Sequence, residues 1–317
     1  MNKSLHVFRT FENGDRILIG ILGEVRGTVA FQYDSQYLST YSETVGSLSP
    51  FTVPYSPTLL LGPKKLDMGL HGLFAESLPD GYGLWLMDRA FQETGLSRSS
   101  ISPLDRLAFV GDRATGALSY EPVHGAWQAQ TDGVTLEELG LAAQLFLEEQ
   151  HPVHLSQLVE SGSAGGSRPK AQIYFNRDFS AALTHPEENH RAWLVKFTAK
   201  TLPLGHEEGL FEAAALAASE QAGIRTPAWR LFEGPQGRGR PKVPSWLGME
   251  RFDRTPAGRV HYVSAERLEE IVRQAADVAL RFPEIALYHG AKRAAVKEVK
   301  AQVEAAVAEN LKVMELS

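Results

Sequence analysis

The stretch Gly162-Ser163-Ala164-Gly165-Gly166-Ser167-Arg168-Pro169-Lys170 runs directly into an apolar, strand-like segment, Ala171-Gln172-Ile173-Tyr174-Phe175. Glycines let backbone N–H groups converge on a phosphate, and Arg168 and Lys170 add positive charge where the loop ends. A glycine–serine turn taken alone is a turn and nothing more. A protein that transfers the phosphoryl group of a nucleotide held in such a loop must also supply, further along, a carboxylate base and magnesium ligands.

Outward from the loop, Trp193-Leu194-Val195-Lys196-Phe197 reads as a strand with a lysine in an apolar setting. Burying an ammonium without a partner is costly. Lys196 is therefore either a phosphate-holding lysine or an edge-strand side chain turned to water. Phe211 to Ala222 reads as a helix closed by Gly223, with an apolar face drawn from Phe211, Ala214, Ala215 and Ala218. Glu212 falls in its first turn, where the helix dipole favours a carboxylate in any case. Trp229 to Glu233 and Trp246 to Phe252 read as strands around a Gly/Pro/Arg-rich turn, the second leading into Met249-Glu250-Arg251-Phe252-Asp253-Arg254. Phosphate loop, lysine-bearing strand, helix with a glutamate and hinge follow one another as in the small lobe of a kinase.

The flanking regions complete an α+β pattern. Residues 5–35 alternate apolar and polar positions around Gly14, Gly23 and Gly27, as a strand meander would, and Phe31-Gln32-Tyr33-Asp34 ends one strand. Ser47 to Pro57 reads as extended loop, and residues 69–92 as short helices broken at Pro79-Asp80-Gly81. Leu104 to Val110 gives another helical turn, stopping at Gly111. Thr135-Leu136-Glu137-Glu138 is a capping box, and its helix is expected to end near His151-Pro152. From Ser264 onward the periodicity is helical, with one stripe through Leu268, Ile271, Ala275, Val278 and Phe282 and another through Val296, Val299, Val303 and Val307. The expected organisation is an amino-terminal subdomain over 1–123, a nucleotide-binding small lobe over 134–254 and a helical carboxy-terminal lobe over 255–317.

Bulk composition narrows the function classes. At 317 residues, 43% hydrophobic and 22% charged, the chain is that of an ordinary folded protein. A net charge of −6 gives no global pull toward nucleic acid or anionic membrane. The absence of cysteine excludes disulfides, thiolate metal sites and cysteine nucleophiles. Ile17 to Leu22 is far too short to span a bilayer and no secretory leader precedes it, so a soluble, cytoplasmic protein is expected.

Several segments, taken in order, resemble the HipA family, the serine/threonine-kinase toxins of bacterial toxin–antitoxin pairs. They are Phe74-Ala75-Glu76-Ser77-Leu78-Pro79-Asp80-Gly81-Tyr82-Gly83 with Leu86-Met87-Asp88-Arg89, then Pro103-Leu104-Asp105-Arg106-Leu107-Ala108 with Val110-Gly111 and Gly116-Ala117-Leu118. The glycine loop ending Arg168-Pro169-Lys170 and the segment Glu250-Arg251-Phe252-Asp253-Arg254 follow. The resemblance implies a protein-kinase-like fold of the HipA type and ATP-dependent phosphorylation of a protein substrate with Mg²⁺. It implies that Gly165, Gly166, Ser167, Arg168, Pro169 and Lys170 wrap the nucleotide phosphates, that Lys196 holds the α/β-phosphates, and that Glu250, Arg251 and Phe252 meet the adenine. Ser163 stands where the family carries a self-phosphorylated serine, whose added charge would compete with ATP for the loop. The implied partner is a small DNA-binding antitoxin, through which contact with DNA would be indirect.

The pattern breaks after the hinge. Family members continue with an Asp followed five residues later by an Asn, and then a second, metal-binding Asp. Beyond Arg254 this chain has only Asp277 and Asn310, and no Asp-x-x-x-x-Asn follows Lys196 anywhere. The segment passes through Gly258-Arg259-Val260-His261-Tyr262 and reaches the closing helices almost at once, so the carboxy-terminal lobe reads as shortened. No catalytic or metal-ligating residue is assigned, and weak or no nucleotide binding is expected. The rival reading is a non-enzymatic protein that binds the antitoxin or DNA. Gly237-Arg238-Gly239-Arg240-Pro241-Lys242 resembles an AT-hook core, which inserts arginines into a narrow minor groove, or else is a basic hairpin tip. The pairs His151/His154 and His185/His190 lack the flanking pattern of a metal site.

Overall fold

Alternating apolar residues at the amino terminus fold into a meander in the computed structural model, which describes residues 4–49, 53–64, 67–123, 134–148, 155–162, 165–221, 223–235, 239 and 242–261, with isolated helical positions between 280 and 308. Strands β1 (Ser4–Thr10), β2 (Arg16–Val25) and β3 (Thr28–Tyr33) pair antiparallel in turn, β4 (Leu60–Leu61) adds to β3, and β5 (Leu118–Glu121) returns to the far side of β1. Leu5, Val7, Ile19, Leu22 and Phe31 lie on the buried face. The segment between β4 and β5 is helical. After α1 (Ser35–Thr40) and α2 (Glu43–Gly46) come α3 (Gly72–Ala75), α4 (Gly81–Glu93) and α5 (Pro103–Val110). Asp88 of α4 is buried and pairs with Arg106 of α5 at 2.7 Å and with Arg98 between them, which locks the two helices together.

The second sheet follows α6 (Leu136–Leu147) and α7 (Leu155–Glu160). It contains β6 (Lys170–Phe175), β7 (Ala182–Leu183), β8 (Arg191–Lys196), β9 (Trp229–Pro235) and β10 (Lys242–Glu250), in the spatial order β7-β6-β8-β10-β9, with α8 (Glu208–Gln221) between β8 and β9 in sequence. The Thr135–Glu138 capping box opens α6 as the sequence predicts. The helix stops at Leu147, and the expected end at His151-Pro152 lies outside the described residues. The fold is α+β.

Trp246 of β10 is the centre of this second core. Its indole is fully buried, with Phe197 edge-on at 5.0 Å between ring centroids. Two glycines make room for it: a Cβ at Gly140 of α6, or at Gly234 of β9, would come within 2.1 Å of the indole ring. Gln144 of α6 then fixes the helix to the sheet by donating to the Thr198 carbonyl at 2.8 Å and the Pro235 carbonyl at 3.2 Å.

α8 departs from its expected orientation. Phe211, Ala214, Ala215 and Ala218, the face expected to be apolar and buried, point outward, Phe211 being 57% exposed. The buried positions are Glu208, Gly209 and Ala213. A Cβ at Gly209 would lie 2.0 Å from the Ser245 carbonyl oxygen, so the helix lies close on β10 through its smallest residues. The same close approach brings Glu212 to Lys196 at the end of β8.

The chain divides into two compact units, Met1–Thr40 with Pro57–His261, and Tyr41–Ser56 with Tyr262–Ser317. In the second, Ser49 bridges Val53, the Tyr55 hydroxyl donates to the Tyr41 carbonyl at 2.8 Å, and Lys300 faces Glu304 at 3.7 Å. The expected boundary at 123–134 falls largely on residues 124–133, which lie outside the described residues, as does most of the helical region from 262 on.

Gly140→Ala tests the fit around Trp246. Alanine normally stabilises a helix interior over glycine by about 1 kcal/mol. Here overlap with a fully buried indole should reverse the sign and cost about 1–3 kcal/mol. Urea unfolding should show a lower midpoint with an unchanged slope.

Candidate functional site

Lys170 opens β6, Lys196 closes β8, and the antiparallel register sets them directly opposite each other. Opposed residues project from the same face of a sheet, where like charges repel. Two ammonium groups are thus forced together at one end of the sheet, and their surroundings must offset the repulsion. Lys196 does so through α8, its Nζ lying 2.5 Å from Glu212 Oε2. Lys170 is almost completely buried and donates to the Gly165 carbonyl at 2.6 Å, bracing the glycine loop from beneath. Arg168 turns to the same helix, its Nε donating to Glu208 Oε2 at 2.8 Å. Glu208 and Glu212 are four residues apart, hence on one face of α8, and serve one cation each.

Burial is the main cause that holds the Lys170 ammonium below its ordinary pKa, followed by repulsion from Lys196, while Asp80 and Glu212 pull the other way. Asp80 immediately precedes α4 and is distant in sequence. Its carboxylate accepts the Gly166 N–H, and Tyr82 N–H donates back to the Gly166 carbonyl at 3.3 Å. The sequence shows Pro79-Asp80-Gly81 only as a helix break. That its carboxylate reaches the glycine loop is a tertiary fact with no local signal.

The structure therefore brings Gly165, Gly166, Lys170 and Lys196 into one neighbourhood, with Arg168 of the same loop paired to Glu208 of α8. Ser167 is exposed at the loop, and the Pro169 carbonyl accepts from Phe197 N–H at 2.9 Å. Ser163 lies outside the described residues. Glu250, Arg251 and Phe252 stand elsewhere. Glu250 pairs with Trp193, three residues before Lys196 on β8, about 10 Å along the strand. Its side chain meets Arg191 at 3.1 Å, and Phe252 is 71% exposed.

Arg251 is buried in a polar network. It donates to Asp253 through Nε at 2.9 Å and Nη2 at 2.6 Å, and through Nη1 to Gln172 Oε1. Arg254 meets the same carboxylate at 2.7 Å and the carbonyls of Ala114 and Gly116, both at 2.8 Å. Gly116 N–H completes the set on Asp253 at 2.7 Å. Burial alone would raise the Asp253 pKa, but the hydrogen bonds from Arg251 and the charges of Arg251 and Arg254 outweigh it and hold the carboxyl below its usual value of 3.8. Burial, then the neighbouring arginines, pulls Arg254 down to about 10.

At the glycine loop a backbone N–H and two ammonium groups come together, donors of the kind that suit an anion, and each already meets an acceptor of the protein: Asp80, the Gly165 carbonyl and Glu212. Among the described residues no three His, Asp or Glu side chains cluster to hold a metal. Among those residues, too, no helix is long and apolar enough to cross a membrane.

Two family models match the sequence, the HipA N-terminal domain over residues 14–121 and the HipA-like C-terminal domain over residues 162–311. No curated protein matches it.

The Asp253 network carries a pH signature. Because its folded pKa is depressed, it stabilises the protein above the unfolded value of 3.8, and that contribution is lost as pH falls through the folded pKa. Asp253→Asn should cost about 3–5 kcal/mol at pH 7, by leaving buried arginines unpaired. It should also flatten the acid limb of the stability curve, as read by urea unfolding across pH 2–7.

Proposed function

Since the chain belongs to the HipA family, of kinase-like α+β fold, we propose that it is a toxin–antitoxin kinase relative that keeps a cradle for nucleotide phosphates and has lost phosphoryl transfer. The observation that carries this reading is the Lys196–Glu212 pair at 2.5 Å beside the glycine loop, in a sequence that offers no Asp-x-x-x-x-Asn after Lys196. A strand lysine held by a helix glutamate is the arrangement that presents an ammonium to nucleotide phosphates in kinases. In this reading Gly165 to Lys170 and Lys196 hold the phosphates. The adenine would lie toward Glu250 and Phe252, about 10 Å further along β8, while the side chain of Arg251 is held by Asp253 and Gln172.

ATP, if bound, would supply the phosphoryl group, and in intact relatives Mg²⁺ would neutralise its developing charge. Transfer needs metal-bridged phosphates and an oriented nucleophile. Binding residues alone give little stabilisation that is specific to the transition state. The C-terminal family match continues to residue 311, while the sequence between Arg254 and the closing helices is too short and too poor in Asp and Asn to carry the missing loop. This supports internal loss of the catalytic segment. The biological role left to such a chain is engagement of its small DNA-binding antitoxin in the cytoplasm, without phosphorylation of a substrate.

Purified protein should bind ATP weakly, and Lys196→Ala should lower that affinity at least about tenfold, the value of one charge-assisted contact. Equal affinities for the two proteins would remove the cradle from the account. Magnesium-dependent incorporation of labelled phosphate by the full chain would refute the loss of catalysis.

A further inference from the structure

The residue before a helix normally spends an aspartate carboxylate on its own helix, accepting an N–H from the first turn. Asp80 makes no such bond to α4. Its carboxylate crosses to the glycine loop and accepts the Gly166 N–H. It also lies against Gly165, where a Cβ would sit 3.0 Å from Asp80 Oδ1. Gly166 has φ +104°, a conformation side-chain-bearing residues rarely adopt. The opposite wall is equally close. Gly81 has φ +47°, and a Cβ there would meet the Gly166 and Ser167 backbone at 2.9 Å. Tyr82 N–H closes the clasp on the Gly166 carbonyl. A carboxylate and a phosphate oxygen are the same kind of acceptor to a backbone N–H, and both are drawn by Lys170, which feels the Asp80 charge.

We propose that Asp80 is an internal stand-in for phosphate: it holds the glycine loop in the ligand-free protein and must withdraw before an anion can enter. The amino-terminal module would thereby set the affinity of a cradle built by the second sheet. The proposal rests on the phosphate-cradle reading above and adds an autoinhibitory contact to it. Apparent affinity falls by the fraction of molecules whose loop is open, so removing the competitor should tighten binding without any new contact.

The test compares the full-length protein with Asp80→Ala and with Asp80→Asn, which keeps the shape and an acceptor but drops the charge. Two readouts are needed: amide exchange over residues 165–170 without ligand, and calorimetric binding of inorganic tripolyphosphate and of ATP. Exchange should quicken in Asp80→Ala, and both ligands should bind about ten- to hundredfold tighter, with Asp80→Asn in between. Unchanged exchange, or faster exchange with no gain in tripolyphosphate affinity, overturns the proposal. Tighter tripolyphosphate binding with ATP no better than tripolyphosphate upholds the Asp80 contact and sinks the nucleotide reading instead. Circular dichroism establishes that the variants fold. If Asp80→Ala does not fold, Asp80→Asn decides on the same criteria.

Discussion

The carboxylate of Asp253 is the constraint on which the rest of the main unit depends. It gathers Arg251, Arg254 and the Gly116 amide around one buried anion, while Arg251 reaches Gln172 on β6 and Arg254 reaches the carbonyls at 114 and 116. One charge cluster thus ties the loop before β5 to the strand that follows the glycine loop. Desolvating three ions is expensive, and such a cluster is retained only when every donor finds an acceptor. The segment that follows is drawn along the amino-terminal module: Arg259 N–H donates to the Phe11 carbonyl and Thr255 Oγ1 to that of Glu12. What the sequence offers as a nucleotide hinge is, in its central arginine, also the clamp between modules.

That clamp gives the cradle its two walls. The second sheet contributes the lysines and the loop; the amino-terminal module contributes Asp80. Repulsion between Lys170 and Lys196 is built in by register and answered by separate partners, Glu212 for one and the Gly165 carbonyl for the other. An anion placed between them would complete the charge balance. Asp80, accepting the Gly166 N–H, already sets one carboxylate against the same loop.

Much of this was legible in the residues, because it is written locally. The amino-terminal meander follows from alternation, and the Thr135 capping box from four consecutive residues. Lys196 is visible as an unusual strand lysine and Glu212 as a glutamate near a helix start, although the helix begins three residues earlier than the sequence suggests, at Glu208, and carries Glu212 in its second turn. Their pairing follows once α8 packs on β10. The orientation of α8 was not legible, since its alanine-rich surface offers two faces of similar hydrophobicity and Gly209 chooses between them by proximity to the Ser245 carbonyl. Nor was the role of Arg251, whose partner Gln172 is 79 residues away, or that of Asp80, 86 residues from Gly166. Periodicity cannot report contacts of that range.

The setting of Trp246 has a consequence for how this sequence can drift. The largest side chain of the second core fits only because two neighbours on different elements have none. A mutation enlarging Gly140 or Gly234 meets an indole that cannot yield, and one shrinking Trp246 opens a hole that neither glycine can fill. The three codons are therefore bound as a single inherited unit, passable only by coordinated change, and they should co-vary wherever relatives of this chain have diverged.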